Sequence, residues 1–380
     1  VAGGVDLLFS DILGDNQFFT SIAMNGELID IGGVVAYINR KNRINWGVSL
    51  SHQPFRSFAG TEFELRDTLD LGGGNLALVD RQSLFEQRIF QEQLGVFAQL
   101  PLSTTTRVEL NANYSLYSGR IDQRDFFYRP NTFFLVGQDR NKIDDIPGFQ
   151  IGQVEAAFVG DNSSFGMTAP LNGQRYRFAL GRYFDEFNFT SVTADYRRYE
   201  FLRPVSLAFR ATHFGRYGGN SDDLFPQYLG FPWFVRGLNT AQGQEIFLAS
   251  GRDFDELLGS KIFVSSFEVR LPFTGPEQLA LIKSRALFSD FNLFIDGGLA
   301  WTQNDQLSGP IFTLDRNGEP LINPETGEPF VAFPQAKPVF TAGASLRVNL
   351  FGALVVEPFY AFPLVKGTKG VFGLNLIPGW

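Results

Sequence analysis

Hydrophobic residues recur at every second position along most of the chain. In 44–51, "INWGVSLS", Ile44, Trp46, Val48 and Leu50 alternate with Asn45, Gly47, Ser49 and Ser51. In 107–116, "RVELNANYSL", Val108, Leu110, Ala112, Tyr114 and Leu116 oppose Arg107, Glu109, Asn111, Asn113 and Ser115. In 340–350, "FTAGASLRVNL", Phe340, Ala342, Ala344, Leu346, Val348 and Leu350 oppose Thr341, Gly343, Ser345, Arg347 and Asn349. Successive side chains of a strand point to opposite faces, so this pattern predicts strands with one apolar and one polar face. Helical periodicity is nearly absent. The pattern predicts about fifteen strands, near 2–10, 16–25, 29–39, 44–53, 86–100, 106–117, 149–159, 174–184, 189–200, 205–216, 261–272, 291–302, 339–350, 354–363 and 371–377.

A soluble sandwich also alternates, but its strands run about 5–6 residues. Those expected here run roughly 9–13, and a tilted membrane-spanning strand needs about 9–11. Aromatics gather near strand ends, at Trp46, Tyr114, Tyr117, Phe184, Tyr199, Tyr217 and Trp301, as in interfacial girdles. The polar faces carry charge, at Arg107, Glu109, Arg175, Arg177, Arg210, Glu268, Arg270, Asp296 and Arg347. A water-filled lumen accepts that mixture, whereas a core between two sheets does not. Short connections, at 100–105, 201–204 and 351–353, contrast with long ones expected at 54–84, 118–148, 217–260 and 303–337. Short turns on one side and long loops on the other mark an outer-membrane barrel. The expected fold is all-β, a transmembrane antiparallel up-and-down β-barrel forming one domain over 1–380. Such barrels have even strand numbers, so one strand is expected upstream, giving sixteen.

Composition removes other classes. The 380 residues carry a formal charge of −8 and no cysteine, which excludes disulfide scaffolds, thiolate metal sites and cysteine nucleophiles. The acidic balance argues against a nucleic-acid partner. No stretch approaches the 18 apolar residues of a membrane helix. The chain begins at Val1 with neither Met nor a signal peptide, and is expected to be a mature or trimmed piece with a soluble periplasmic domain upstream. His52 and His213 are far apart in sequence and read as strand-end residues. "LGGGNLALVD" at 71–80 precedes no helix, so it is no phosphate loop. "GRDFDELLG" at 251–259 lacks the spacing of a calcium loop, and 315–330 reads as a projecting hairpin. No catalytic, metal or cofactor site is expected, and the chain does not read as an enzyme.

One cation needs explaining. "FPWFVRGLNT", 231–240, sets Arg236 behind bulky apolar residues and before Gly237. Arginine stays charged in proteins, so an acid must receive it. In "KIFVSSFEVRLPF", Phe263, Phe267, Val269 and Leu271 share one face and Ser266, Glu268 and Arg270 the other. In "FNLFIDGGLAW", Leu293, Ile295, Leu299 and Trp301 oppose Phe294, Asp296, Gly298 and Ala300. Consecutive strands pair in an antiparallel meander, so Glu268 and Asp296 can meet at one height. An inward-folded loop 217–260 would bring Arg236 to them, and Gly298 would leave it room.

These residues carry a resemblance. "VRGLN" at 235–239 resembles the Val/Ile-Arg-Gly-Phe/Tyr loop motif of the bacterial surface antigen (BamA-like) superfamily, and "FIDGG" at 294–298 its Phe-x-Asp-x-Gly strand motif. "FEVRLP" at 267–272 resembles the strand that supplies a glutamate. The likeness spans roughly 205–380. It implies a sixteen-stranded outer-membrane barrel whose sixth extracellular loop folds into the lumen. The loop motif is then Val235, Arg236 and Gly237, docked on Glu268 with Phe294, Asp296 and Gly298. Leu238 departs from the family's aromatic, which Trp233 or Phe234 could supply. The last ten residues, "VFGLNLIPGW", set Phe372, Leu374 and Leu376 on one face and end in Trp380, resembling the C-terminal signal of outer-membrane proteins. Here they would form the seam strand.

The implied function is insertion or translocation of outer-membrane or surface proteins. A barrel anchor for an upstream propeller or binding domain is the alternative, and a passive diffusion pore a further one. The implied partners are outer-membrane lipid and lipopolysaccharide, periplasmic or lipoprotein subunits, and client outer-membrane proteins.

Overall fold

A computed structural model describes the chain except for residues 1, 71–74, 231–234, 286, 306, 308, 315–318, 325–326, 328, 334, 351, 353, 366–368 and 377–380. Its residues fall into two compact units. One comprises Val1–Leu100, Leu110–Val154 and Phe184–Glu186, and the other Pro101–Glu109, Glu155–Tyr183 and Phe187–Trp380.

The first unit is built from β1 (Ala2–Ser10), β2 (Asn16–Asn25), β3 (Ile31–Asn39), β4 (Asn45–Asp70) and most of β5 (Leu76–Pro101), β6 (Thr106–Tyr128) and β7 (Leu135–Asp161). β1 through β5 pair antiparallel in chain order, and β4 and β5 stay in register from Asn45↔Gln99 to Asp70↔Leu76 across two bulges. The second unit holds β8 (Pro170–Asp185), β9 (Thr190–Leu202), β10 (Val205–Tyr217), β11 (Lys261–Gly275), β12 (Phe288–Trp301), β13 (Val339–Leu350), β14 (Leu354–Pro363) and β15 (Val371–Leu376). These too pair antiparallel in order. All fifteen belong to a 17-stranded sheet that includes two two-residue strands, Ser164–Phe165 and Ile282–Lys283. Each strand named by the alternation is present. Among the described residues, β1 pairs only with β2 and β15 only with β14.

Two expected loops need correcting. Most of 54–84 and 118–148 is strand, because β4 to β7 run 26, 26, 23 and 27 residues. At about 3.4 Å per residue, such strands far exceed a hydrocarbon layer of about 30 Å. In 55–70 of β4 and 135–148 of β7 most residues are solvent-exposed on both faces. Alternation lapses there while the backbone ladder continues.

The burial pattern is inverted relative to a soluble protein. On β11, Phe263, Phe267 and Phe273 are exposed while Ser266, Glu268 and Arg270 are buried. On β12, Phe291, Leu293 and Ile295 are exposed while Asn292 and Asp296 are buried. β13 exposes Phe340 and Leu346 and buries Thr341, Ser345 and Arg347. An apolar outer face over a polar inner one suits a sheet whose outer solvent is lipid. No helix among the described residues is long and apolar enough to cross a membrane.

Candidate functional site

The site is made by the connection between β10 and β11 and the wall of β11 to β15. The connection folds on itself before it meets the wall. Gln227–Tyr228 pairs with Leu258–Gly259, and the Leu229 and Val235 amides donate to Leu257 and Leu229 carbonyls. A helix, α1 (Ala241–Ala249), starts at Thr240, whose Oγ1 accepts from the Gly243 amide at 3.1 Å. This cap satisfies one of the free amides of the first turn. Leu229, Val235, Leu238, Phe247 and Leu257 then pack in one buried cluster with Ile262, Val264, Ala300 and Val339 of the wall. Burying each large apolar side chain is worth roughly 1.5–3 kcal/mol, so packing alone holds much of this connection in place.

Two glycines permit the approach. A Cβ at Gly298 would lie 2.9 Å from Val235 Cγ2 and 3.1 Å from a Leu229 methyl, so β12 leaves space for loop side chains. Gly237 has φ +94°, a left-handed conformation costly to other residues, and a Cβ there would come within 3.0 Å of Ala361 Cβ.

Arg236 therefore arrives fixed on both sides. Its Nε and Nη2 donate to the two carboxylate oxygens of Asp296, each at 2.8 Å, and its backbone N–H donates to Asp296 Oδ2 at 3.1 Å. This is the forked geometry a planar guanidinium favours. Nη1 lies 2.7 Å from Glu268 Oε1 and donates to Glu357 Oε1 at 3.2 Å. Nη2 also donates to Ser266 Oγ, whose hydroxyl in turn donates to Asp296. The guanidinium carbon stands 3.6 Å from the centre of the Phe294 ring, a close cation–π contact. The side chains of Arg236, Glu268 and Asp296 are 4%, 0% and 1% exposed. Burial works against the Arg236 charge, but Asp296, Glu268 and Glu357 outweigh it and hold its pKa above the ordinary value.

Strand register explains the meeting. Ser266 lies opposite Asp296 and Glu268 opposite Phe294, so all four point to the buried face at neighbouring levels. Further ions complete the cluster. Arg270 Nε donates to Glu268 Oε2 at 2.7 Å and Arg347 Nη2 to Glu268 Oε1 at 3.0 Å. Arg347 Nε lies 3.2 Å from Glu357 Oε1, which also accepts from Ser345 Oγ at 2.7 Å. Asn375 Nδ2 donates to Glu357 Oε2 at 3.2 Å, and Asn239 of the loop donates to Asn375 Oδ1 at 3.3 Å. Three arginines thus face three carboxylates, which is how a buried charge set avoids an uncompensated ion.

The structure brings Val235, Arg236, Gly237, Glu268, Phe294, Asp296 and Gly298 together. Glu357 and Asn375 are partners that the sequence reading did not name. Glu357 had one available signal, being the sole charged residue in "LVVEPFYAFP". Phe372, Leu374 and Leu376 are exposed along β15, while Val371, Gly373 and Asn375 are buried. Trp380, Trp233 and Phe234 lie outside the described residues. His52 is hydrogen-bonded to Glu92, and His213 stacks on Trp301. Among the described residues, no group of three or more His, Asp or Glu is arranged to hold a metal ion.

No family model and no curated protein matches the sequence. Solved structures do match. BamA from Haemophilus ducreyi, in a form lacking POTRA domains 1-3, superposes with TM-score 0.55 at 13% identity, covering 98% of this chain and 66% of its own. CdiB from Acinetobacter baumannii matches with TM-score 0.47 and 11% identity over 99% of this chain and 56% of its own. The siderophore receptor PirA from Pseudomonas aeruginosa reaches 0.30 at 8% identity, over 98% and 68%. The chain spans just under two thirds of the BamA chain's length. The first superposition, taken with the inverted burial of the strands, identifies the fold as that of a BamA-like transmembrane β-barrel.

Proposed function

We propose that this chain is the membrane barrel of an insertase or translocase of the surface-antigen superfamily, handling client outer-membrane or surface proteins with periplasmic or lipoprotein subunits. The observation that carries the reading is the docking of Arg236 on Asp296, Glu268 and Glu357. It fixes a 43-residue connection, 218–260, against the polar face of the wall. In the barrel that face is the lumen, so the loop acts as an inward lock. An insertion of this size, packed and ion-paired on the wall, suits a protein-handling barrel that keeps its lumen closed at rest. Strand β15 supplies one side of the seam. Among the described residues its register with β14 runs from Ala361↔Val371 to Val356↔Leu376. The barrel assists by geometry and has no catalytic role in this reading.

The complete protein, reconstituted in liposomes, tests this. An unfolded outer-membrane protein should insert faster than into empty liposomes, and the Arg236→Ala variant should lose most of that acceleration. No acceleration by the wild type would reject the reading. A large steady conductance in planar bilayers would favour a pore instead.

A further inference from the structure

Lys261, the first residue of β11, is a buried cation that no carboxylate among the described residues touches. The residue is 5% exposed, yet among the described residues its ammonium forms no ion pair within 4.0 Å. Its one hydrogen bond there runs to Ser260 Oγ at 3.1 Å, although an ammonium carries three donors. The Tyr217 ring centre stands 5.4 Å from Nζ, a supporting cation–π contact. Asp222 and Asp305 attract the ammonium from beyond ion-pair distance, and their hydrogen bonds go to other groups. Asp305 accepts from the Thr302 amide at 2.6 Å and from its hydroxyl at 2.9 Å, and Asp222 accepts from the Gln303 amide at 3.1 Å. An ion left so is costly unless an anion joins it.

Space for that anion exists. A cavity of about 460 Å³ is lined by Lys261, Tyr217, Trp301, Thr302, Gln303 and Asp305, among others. One wall is aromatic and hydrogen-bonded. His213 stacks on Trp301 with ring centres 5.6 Å apart and 16° between planes. Its Nδ1 lies 2.9 Å from the Ile262 carbonyl, which can only accept, so Nδ1 carries the proton. In neutral His213, Nε2 then accepts from the Tyr217 hydroxyl at 2.7 Å. Position identifies the source of the anion. Lys261 lies on the same face of β11 as the exposed Phe263 and Phe267, two and six residues further along. Two residues of strand span about 7 Å, so the ammonium stands just past the end of the apolar belt, on the side of the long connections. Tyr and Trp with a lysine at that level form the usual headgroup boundary.

We propose that this cavity holds the phosphate headgroup of an outer-leaflet lipid, with Lys261 as the charged donor and Tyr217 and Trp301 as the flanking walls. The proposal rests on the outer-membrane reading but not on client handling. Isothermal titration of dihexanoyl phosphatidic acid into the complete protein, held in zwitterionic micelles, tests it. Saturable binding is expected, weakened about ten-fold or more in Lys261→Gln, as for loss of a charge-assisted hydrogen bond. Lys261→Arg should retain most of the affinity, and Lys283→Gln, an exposed lysine paired with Glu277, should retain all of it. Absence of saturable binding, or equal affinity in Lys261→Gln, overturns the proposal. Equal affinity for inorganic phosphate overturns the lipid assignment. Because no client is present, these outcomes leave the insertion assay to be judged separately.

Discussion

The two units each anchor a connection with ions, but with opposite polarity and in different surroundings. In the second unit the loop brings a cation, Arg236, and the strands bring the acids. In the first unit the connection between β2 and β3 brings the acids, Glu27 and Asp30, and the strands bring arginines. Arg88 Nε donates to Asp30 Oδ1 at 3.0 Å and its Nη2 to Glu27 Oε2 at 3.1 Å. Arg56 donates to Asp30 at 3.3 Å, and Arg124 and Arg140 both pair with Glu27. The Arg236 cluster is sealed from water by the apolar packing of its own loop. Glu27, Arg124 and Arg140 are 26%, 29% and 32% exposed, and the neighbouring Leu28 is 80% exposed, so no apolar seal covers that connection. The pairs of Glu27 with Arg124 and Arg140 should therefore be worth much less than those of Arg236, because water and salt screen them.

Substitutions can break that contrast. Arg236→Ala should have the largest effect, about 3–5 kcal/mol, since three buried carboxylates would keep only Arg270 and Arg347. A fall in the urea midpoint, with new protease cleavage inside 218–260, is the expected record. Arg236→Lys should recover only part of it, because an ammonium cannot fork onto Asp296 while reaching Glu268. Arg88→Ala comes next. Arg88 is itself fully buried and so are its partners Asp30 and Asp122, but Glu27 and Glu86 are 26% and 19% exposed, so about 2–3 kcal/mol is expected. A loss equal to that of Arg236→Ala would show that solvent does not separate the two anchors. Phe294→Leu keeps the volume roughly and removes the ring under the guanidinium, costing about 1–2 kcal/mol. Glu27→Gln should cost about 1 kcal/mol or less, and the cost should vanish in 1 M salt, where the Debye length is about 3 Å. Salt-independence there would mean the first anchor is drier than its exposure indicates.

The strands were legible because one face of each meets lipid and the other a polar interior, which forces strict alternation. Leu346 beside Arg347 on β13 is an example, the former exposed and the latter buried. The outer halves of β4 to β7 were not legible. In "TEFELRDTLD", 61–70, nearly every residue is solvent-exposed, so side-chain order carries no face signal. Arg236, Glu268 and Asp296 could be linked from sequence, because two adjacent strands and one loop sufficed. Glu357 could not, since its neighbours at 359 and 361 are apolar and hid its face. Nor could Glu27 and Asp30, whose arginine partners lie between 26 and 113 residues away on four different strands.

The account's central claim is that Arg236 holds its loop on the wall. The chain has no cysteine, so one introduced thiol reports alone. Leu238→Cys places it two residues past Arg236, at a position 1% exposed. With Arg236 present, a membrane-impermeant maleimide should label this thiol slowly. With Arg236→Ala in the same chain, labelling should rise about ten-fold or more, since a loss of 1.4 kcal/mol already shifts an opening equilibrium ten-fold. Equal rates in the two proteins would contradict the account, leaving apolar packing alone to hold the loop.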